Sequence, residues 1–167
     1  AAFVAPTESV WLPDLLINLL INFLIITLFV VAEEVGFRGY LLPRLRPLSD
    51  TKAVLLAGFL HGVWHLPLIL LTPFYLAEGS RWLTIPLFLL LLTAAGAIYG
   101  TLRLATGSLW PGTILHAAFN LFLGLFTSFT VMDSPLGIYL VGESGVLTLV
   151  ATAVAAFWMV QRWPAIK

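Results

Sequence analysis

Five stretches of the sequence stay apolar for about 20 residues or more, and this feature limits the possible folds more than any other. A helix needs about 20 mainly apolar residues to cross the hydrocarbon core of a bilayer. The stretches lack the alternation of apolar and polar residues that is typical of barrel strands. The sequence therefore predicts an all-α fold, a polytopic transmembrane helical bundle with about five membrane-spanning helices. The approximate spans are Asp14 to Leu42, which Pro43 and Pro47 are expected to end, Ala53 to Thr72, Trp82 to Leu102, Trp110 to Thr130, and Gly145 to Gln161.

The composition agrees with a membrane protein. Of the 167 residues, 60% are hydrophobic and 10% are charged, whereas a typical soluble domain has about 25% charged residues. Eight basic and eight acidic residues cancel, so no basic surface is available for nucleic acid. The sequence contains no cysteine, which excludes a thiol nucleophile and a cysteine-based metal site. We therefore expect one domain over residues 1–167 in contact with membrane lipid, and, because the chain does not begin with Met, a fragment that lacks upstream helices.

The charges between the predicted spans indicate the orientation, because cytoplasmic loops carry an excess of Lys and Arg. The basic residues on one side of a chain that crosses back and forth are Arg44, Arg46, Lys52, Arg103, Arg162 and Lys167. The charged residues on the other side are Glu8, Asp14, Glu78, Arg81, Asp133 and Glu143. We expect the first side to face the cytoplasm, in the cell membrane of a bacterium or an archaeon.

Polar side chains within the predicted spans are the candidates for function, because a charge at the centre of a spanning helix costs about 2.5 kcal/mol or more. The first span contains AEEVGFRGYLL, the second GFLHGVWHLP and the fourth ILHAAFN. At a rise of 1.5 Å per residue, Glu33, His65, His116 and Asn120 lie roughly 9–18 Å from the predicted cytoplasmic ends of their helices. We expect these four side chains to meet around a water molecule, nearer the cytoplasmic face.

Helical spacing separates the two adjacent glutamates. Glu34 and Arg38 are four residues apart with the acid first, which is the favourable order for an ion pair, so we give this pair a supporting role. Glu33 points about 100° away from that pair, which makes it the candidate general base. His61 and His65 share one helix face, and we assign no step to His61.

Together the three segments resemble the CPBP family. Its members are intramembrane proteases that include the type II CAAX prenyl proteases and bacteriocin-processing, Abi-like proteins. The family has the motifs EExxxR, FxxxH, and HxxxN or HxxxD on three membrane helices. EEVGFR, which begins at Glu33, matches the first motif, and HAAFN, which begins at His116, matches the third. His65 matches the second motif, although His61 occupies its phenylalanine position, and the resemblance covers residues 30–122.

This resemblance implies an intramembrane endopeptidase that uses a glutamate-activated water and neither a cofactor nor a metal. Glu33 would activate the water, and His65 would orient that water or share its proton. His116 and Asn120 would donate hydrogen bonds to the oxyanion of the tetrahedral intermediate. The substrate would be a peptide or a lipidated protein, processed either at the C-terminus of a prenylated CAAX-type protein or during peptide maturation.

Two alternatives stay open at this point. Glu33, His61, His65 and His116 could bind zinc, since imidazole and carboxylate groups are common zinc ligands, and the same site would then be a metalloprotease. This zinc site would not be of the HExxH type, because Gly62 stands where that motif has its glutamate. The chain could also be a non-catalytic membrane protein, either a transporter with a proton relay or an immunity protein that sequesters a partner.

Overall fold

The computed structural model describes residues 11–72, 80–129 and 139–163, and all regular structure in these residues is helical. The predicted all-α fold is therefore confirmed. A π-helix, Val35–Leu41, joins α1 to α2, and a 3-10 helix, Arg46–Leu48, follows α2. The α-helices of the described residues are α1 (Leu12–Glu34), α2 (Leu42–Leu45), α3 (Asp50–Leu71), α4 (Arg81–Thr106), α5 (Trp110–Phe129) and α6 (Val146–Arg162).

Three helical stretches of the described residues are long and apolar enough to cross a membrane. They are the continuous path Leu12–Leu48, α3 and α4. The apolar helices α5 and α6 are shorter. The five helices α1, α3, α4, α5 and α6 follow the order of the five predicted spans, and their composition indicates an integral membrane protein.

The first helical path continues beyond one of the prolines that were predicted to end it. Pro43 lies in the first turn of α2, where a helix tolerates a residue without an N–H group. The preceding π-helix changes the hydrogen-bond pattern before that proline is reached. The prediction that Pro43 ends the helix was wrong, and the path ends at Leu48, one residue after Pro47.

Glycines bring α3 and α4 into close antiparallel contact. A Cβ atom on Gly96 would overlap the Cα atom of Gly58, and a Cβ atom on Gly100 would lie 2.8 Å from Cγ1 of Val54. Small residues allow membrane helices to approach each other in this way. Because Gly62, further along α3, faces Leu89, nearer the start of α4, the two helices run in opposite directions.

Helix α4 is the centre of the bundle. It packs against α3, α5 and α6, while α1 packs against α5. The core between these helices consists mainly of small side chains, among them Ala57, Ala97 and Ala156. The outer face of α1 is apolar and exposed, as at Leu28, which suits contact with lipid.

The antiparallel packing places the start of α3 and the end of α4 at one end of the bundle. Lys52 and Arg103 therefore share that end, as the charge pattern predicted. Which side of the membrane this end faces stays a prediction. The charged residues of the orientation argument that lie outside the described residues are Glu8, Glu78, Asp133 and Lys167.

Candidate active site

A cavity of about 80 Å³ lies between α1, α3, α4 and α5. Glu33 from α1, His65 from α3, and His116 and Asn120 from α5 all line it. A water molecule occupies about 30 Å³ in the liquid, so the cavity has room for a small number of waters. The structure thus brings together the four side chains that were expected to meet, while their catalytic roles stay predictions.

Three histidines surround the carboxylate of Glu33. Its side chain is 22% exposed, and its Oε2 atom lies 3.2 Å from Nε2 of His61 and 3.8 Å from Nε2 of His116. One possible ligand atom from each of Glu33, His61 and His65 lies within 4.8 Å of the other two. Among the described residues, neither arginine nor lysine forms an ion pair with Glu33. This carboxylate is therefore partly open to the cavity and faces imidazole nitrogens.

The carboxylate of Glu34 has very different surroundings. Its side chain is 1% exposed, and its Oε1 atom accepts hydrogen bonds from Nη1 of Arg38 at 2.8 Å and from Nδ1 of His116 at 2.9 Å. The predicted ion pair with Arg38 is therefore present and fully buried. The ring of Tyr99 stacks on His116 with the centroids 4.7 Å apart, so Glu34 and Tyr99 together orient this imidazole.

The partners of the histidines indicate which ring nitrogen carries a proton. Nδ1 of His65 lies 3.0 Å from the carbonyl oxygen of His61, which can only accept, so this Nδ1 is the donor. Nδ1 of His61 lies 3.3 Å from Nη1 of Arg38, which can only donate, so this Nδ1 is the acceptor. The proton of a neutral His61 ring is then on Nε2, the atom that faces Glu33.

Sequence reasoning assigned no catalytic step to three residues of this region. His61 contacts both Arg38 and Glu33, and its spacing from His65 was the one available signal. Tyr99 lies between His116 and Arg38, whose Cζ atom is 5.2 Å from the Tyr99 ring centroid.

The third residue, Glu143, lines the cavity from the segment before α6, although the charge pattern placed it in a loop. Burial raises the pKa of Glu143 to about 7, and the negative charge of Glu33 contributes to this rise. No local sequence pattern signals that a loop residue returns to the bundle interior. The cavity therefore extends from the site towards the end of the bundle at which α6 begins.

A comparison with models of known protein families shows which family the chain belongs to. The model of the family described as type II CAAX prenyl endopeptidase Rce1-like matches residues 13–122, which is 110 of the 167 residues and includes Glu33 through Asn120. The chain belongs to this family. Searches of the curated proteins and of the solved structures found no match. Because Rce1-like proteins are CAAX-type endopeptidases, the chain is a CAAX-type intramembrane endopeptidase in general terms.

Membership in the Rce1-like family confirms the resemblance that the three motifs indicated. It favours an enzyme over the transporter and immunity-protein alternatives. The site residues named above from α1, α3, α4 and α5 all lie within the matched region, whereas Glu143 lies beyond it.

Proposed function

We propose that the protein hydrolyses peptide bonds with a water molecule that Glu33 activates as a general base. The observation that carries this proposal is that Glu33, His65, His116 and Asn120 all line one cavity. Candidate atoms of Glu33 and His65 lie within 4.8 Å of each other. One water with hydrogen bonds of about 2.8 Å to both would span this distance at an angle near the tetrahedral value.

Each bond change in the proposed reaction has a place in this cavity. The water oxygen attacks the scissile carbonyl carbon while a water proton moves to Glu33, which produces a tetrahedral oxyanion. When the C–N bond breaks, Glu33 returns the proton to the leaving amine. The products are a new carboxyl terminus and a free amine, and no covalent bond to the enzyme forms.

His116 and Asn120 are the proposed hydrogen-bond donors to the oxyanion. They lie one turn apart on α5 and line the same cavity as Glu33. Because Nδ1 of His116 already donates to Glu34, donation from Nε2 requires a proton on both ring nitrogens. The Glu34 carboxylate supplies the counter-charge for that imidazolium. A donor of this kind contributes about 3–4 kcal/mol to transition-state stabilisation.

The proposed substrate is a peptide or a lipidated protein that enters from the membrane, with the C-terminus of a prenylated CAAX-type protein as the leading candidate. The family description names prenyl endopeptidases, and the cavity wall contains the apolar side chains of Phe88, Leu91 and Leu123. A cavity of about 80 Å³ is too small for a prenyl chain, so the family description carries this part of the proposal. We further propose that the site works near the cytoplasmic face of a bacterial or archaeal cell membrane, since basic residues share one end of the bundle.

A zinc-dependent peptidase is the second candidate, because Glu33, His61 and His65 are close enough to hold one metal ion. Such a site would use the metal to activate water. Nε2 of His61 would then need a free lone pair and Nδ1 would need the proton. Arg38 faces that Nδ1 as a donor, which favours the opposite tautomer, so we favour the metal-free reaction.

The test compares the wild-type protein with the Glu33→Gln variant in liposomes, with a prenylated CAAX-type peptide and its unprenylated form as substrates. Mass spectrometry would identify the products, and Asp14→Asn, at an exposed carboxylate of α1, is the matched control. We expect Glu33→Gln to lower kcat by about 10²–10⁴-fold with an unchanged melting temperature, and Asp14→Asn to cleave normally.

The same assay separates the alternatives. Full activity of Glu33→Gln would exclude Glu33 as the base. Loss of wild-type activity with a strong chelator, followed by recovery with zinc alone, would establish the metal-dependent reaction instead. Activity that resists the chelator supports the metal-free reaction, and equal cleavage of both peptides would remove the prenyl group from the proposed specificity.

A further inference from the structure

We propose that His61 is a positioning residue that holds the Glu33 carboxylate in one orientation through hydrogen bonds that run from Arg38 to His61 to Glu33. The proposal rests on the proposed function, in which Glu33 is the general base. His61 occupies the position at which the FxxxH motif has a phenylalanine, and a phenylalanine ring can neither accept nor donate these hydrogen bonds. The arrangement is therefore a feature of this chain and not of the motif.

Three short contacts form the chain of hydrogen bonds. Nη1 of Arg38 donates to Oε1 of Glu34 at 2.8 Å and lies 3.3 Å from Nδ1 of His61. Nη1 carries two N–H groups, so it can serve both acceptors. Nε2 of His61 lies 3.2 Å from Oε2 of Glu33. The two carboxylates are thus connected through one guanidinium nitrogen and one imidazole.

The interior of the bundle holds His61 in place. Its side chain is 0% exposed, and that of Arg38 is 1% exposed. The ring of Phe37 packs on the His61 ring with the centroids 4.3 Å apart. Because Arg38 is itself bound to Glu34, the donor that faces Nδ1 of His61 cannot turn away without breaking a buried ion pair.

Arg38 also selects the proton position on His61. A guanidinium has no acceptor, so Nδ1 of His61 must accept and Nε2 must carry the proton. A doubly protonated ring would place an N–H group against the guanidinium, which is unfavourable. The single neutral tautomer directs its N–H group at Oε2 of Glu33, and this hydrogen bond restricts the rotation of the carboxylate that must accept a proton from water.

Positioning of this kind affects the rate more than binding. Removal of a partner that orients a reactive side chain typically lowers activity by about 10–100-fold, by analogy with outer partners of metal ligands. A small displacement of a catalytic group has an effect of similar size. Since His61 itself does not line the cavity, we expect its loss to lower kcat and to leave KM within about twofold.

The experiment compares His61→Phe with His61→Gln in liposomes. Phenylalanine keeps an aromatic ring for packing on Phe37, whereas glutamine offers one acceptor for Arg38 and one donor for Glu33. We expect His61→Phe to lower kcat by about 10–100-fold at unchanged KM and melting temperature, and His61→Gln to recover most of that loss. Phe59→Leu, at a half-exposed position of the same helix, is the control and should cleave normally.

Two outcomes would overturn the proposal. One is a kcat for His61→Phe within twofold of the wild type, and the other is an equal loss in His61→Phe and His61→Gln, which would indicate packing alone. If Glu33→Gln is inactive while His61→Phe is fully active, only this inference fails. If Glu33→Gln is fully active, the proposed function fails as well.

Nitrogen NMR of the histidine-labelled wild-type protein gives a readout that does not depend on the folding of a variant. We expect His61 to show a protonated Nε2 and an unprotonated Nδ1 without added metal. A proton on Nδ1, or on both nitrogens, would contradict the proposed chain of hydrogen bonds.

Discussion

Glu33 and Glu34 are adjacent in the sequence, yet the fold gives them opposite surroundings. Glu33 is 22% exposed, lines the cavity and faces histidine nitrogens. Glu34 is 1% exposed and is bound by Arg38 and His116. The difference arises because successive helix residues point about 100° apart, so that one carboxylate faces the cavity and the other faces Arg38 and α5.

This comparison shows how one residue type can serve both reactivity and structure. The Glu34 carboxylate is buried, its Oε1 atom is held by a guanidinium and an imidazole, and it does not line the cavity, so it has no access to a water there that could give it a proton. A carboxylate with one imidazole donor and access to a cavity can accept such a proton. Replacements around Glu34 should therefore affect mainly stability, and replacements around Glu33 should affect mainly catalysis.

The largest expected effect is the loss of stability when Glu34 is replaced. Glu34→Ala leaves the guanidinium of Arg38 buried without its carboxylate partner, which costs about 3–5 kcal/mol of stability. We expect a large fall in melting temperature and little folded protein. The double variant Glu34→Ala/Arg38→Met should regain stability but cleave poorly, because His116 has lost its acceptor.

A second ion pair with the same spacing offers a matched control for this prediction. Arg46 and Asp50 are also four residues apart, but the Arg46 side chain is 53% exposed. Arg46→Ala should therefore change the melting temperature little. Equal melting temperatures for Glu34→Ala and the wild type would show that the buried pair does not stabilise the fold.

The next largest effect is expected for Asn120, which lines the cavity with Glu33. Asn120→Ala removes one proposed oxyanion donor, and we expect kcat to fall by about 10²–10³-fold while the melting temperature changes little. Steady-state kinetics and thermal unfolding of the same preparation would check this separation. An equal loss of stability would instead indicate that Asn120 mainly connects helices.

The smallest expected effect concerns Glu143, a third carboxyl group that lines the cavity. Burial raises its pKa from 4.5 to about 7, so between these values the folded protein keeps a proton that the unfolded chain has lost. Its contribution to stability therefore falls as the pH rises from about 4.5 to about 7. Glu143→Gln should remove that fall, with a higher melting temperature than the wild type at pH 8, by roughly 2–4 °C for each kcal/mol relieved.

The comparison with Glu143→Gln should be made at pH 4 as well, where the wild-type carboxyl is mostly protonated in both states. The two proteins should then melt at similar temperatures. A constant difference at both pH values would show that Glu143 acts through shape or hydrogen bonding and not through its charge.

Several features of the site could be predicted from the sequence because they depend on local rules. The length of the apolar stretches predicts helices, and the depth of polar residues within them predicts that Glu33, His65 and Asn120 meet. The spacing of Glu34 and Arg38 predicts their ion pair, which the structure contains.

Other features depend on contacts between distant segments. His61 lies between Arg38 and Glu33 because α3 packs against the π-helix, and no local sequence pattern predicts this packing. The return of Glu143 to the cavity depends on a loop conformation. The passage of the helix through Pro43 depends on a change of helix type that the sequence pattern did not signal.

The most direct test of the account is a single turnover of the wild-type enzyme in water labelled with heavy oxygen. If Glu33 acts as a base on water, mass spectrometry should find the label in the new carboxyl terminus of the product and none in the Glu33 side chain. Label in the Glu33 carboxylate would show that this residue attacks the peptide directly, and would contradict the proposed reaction.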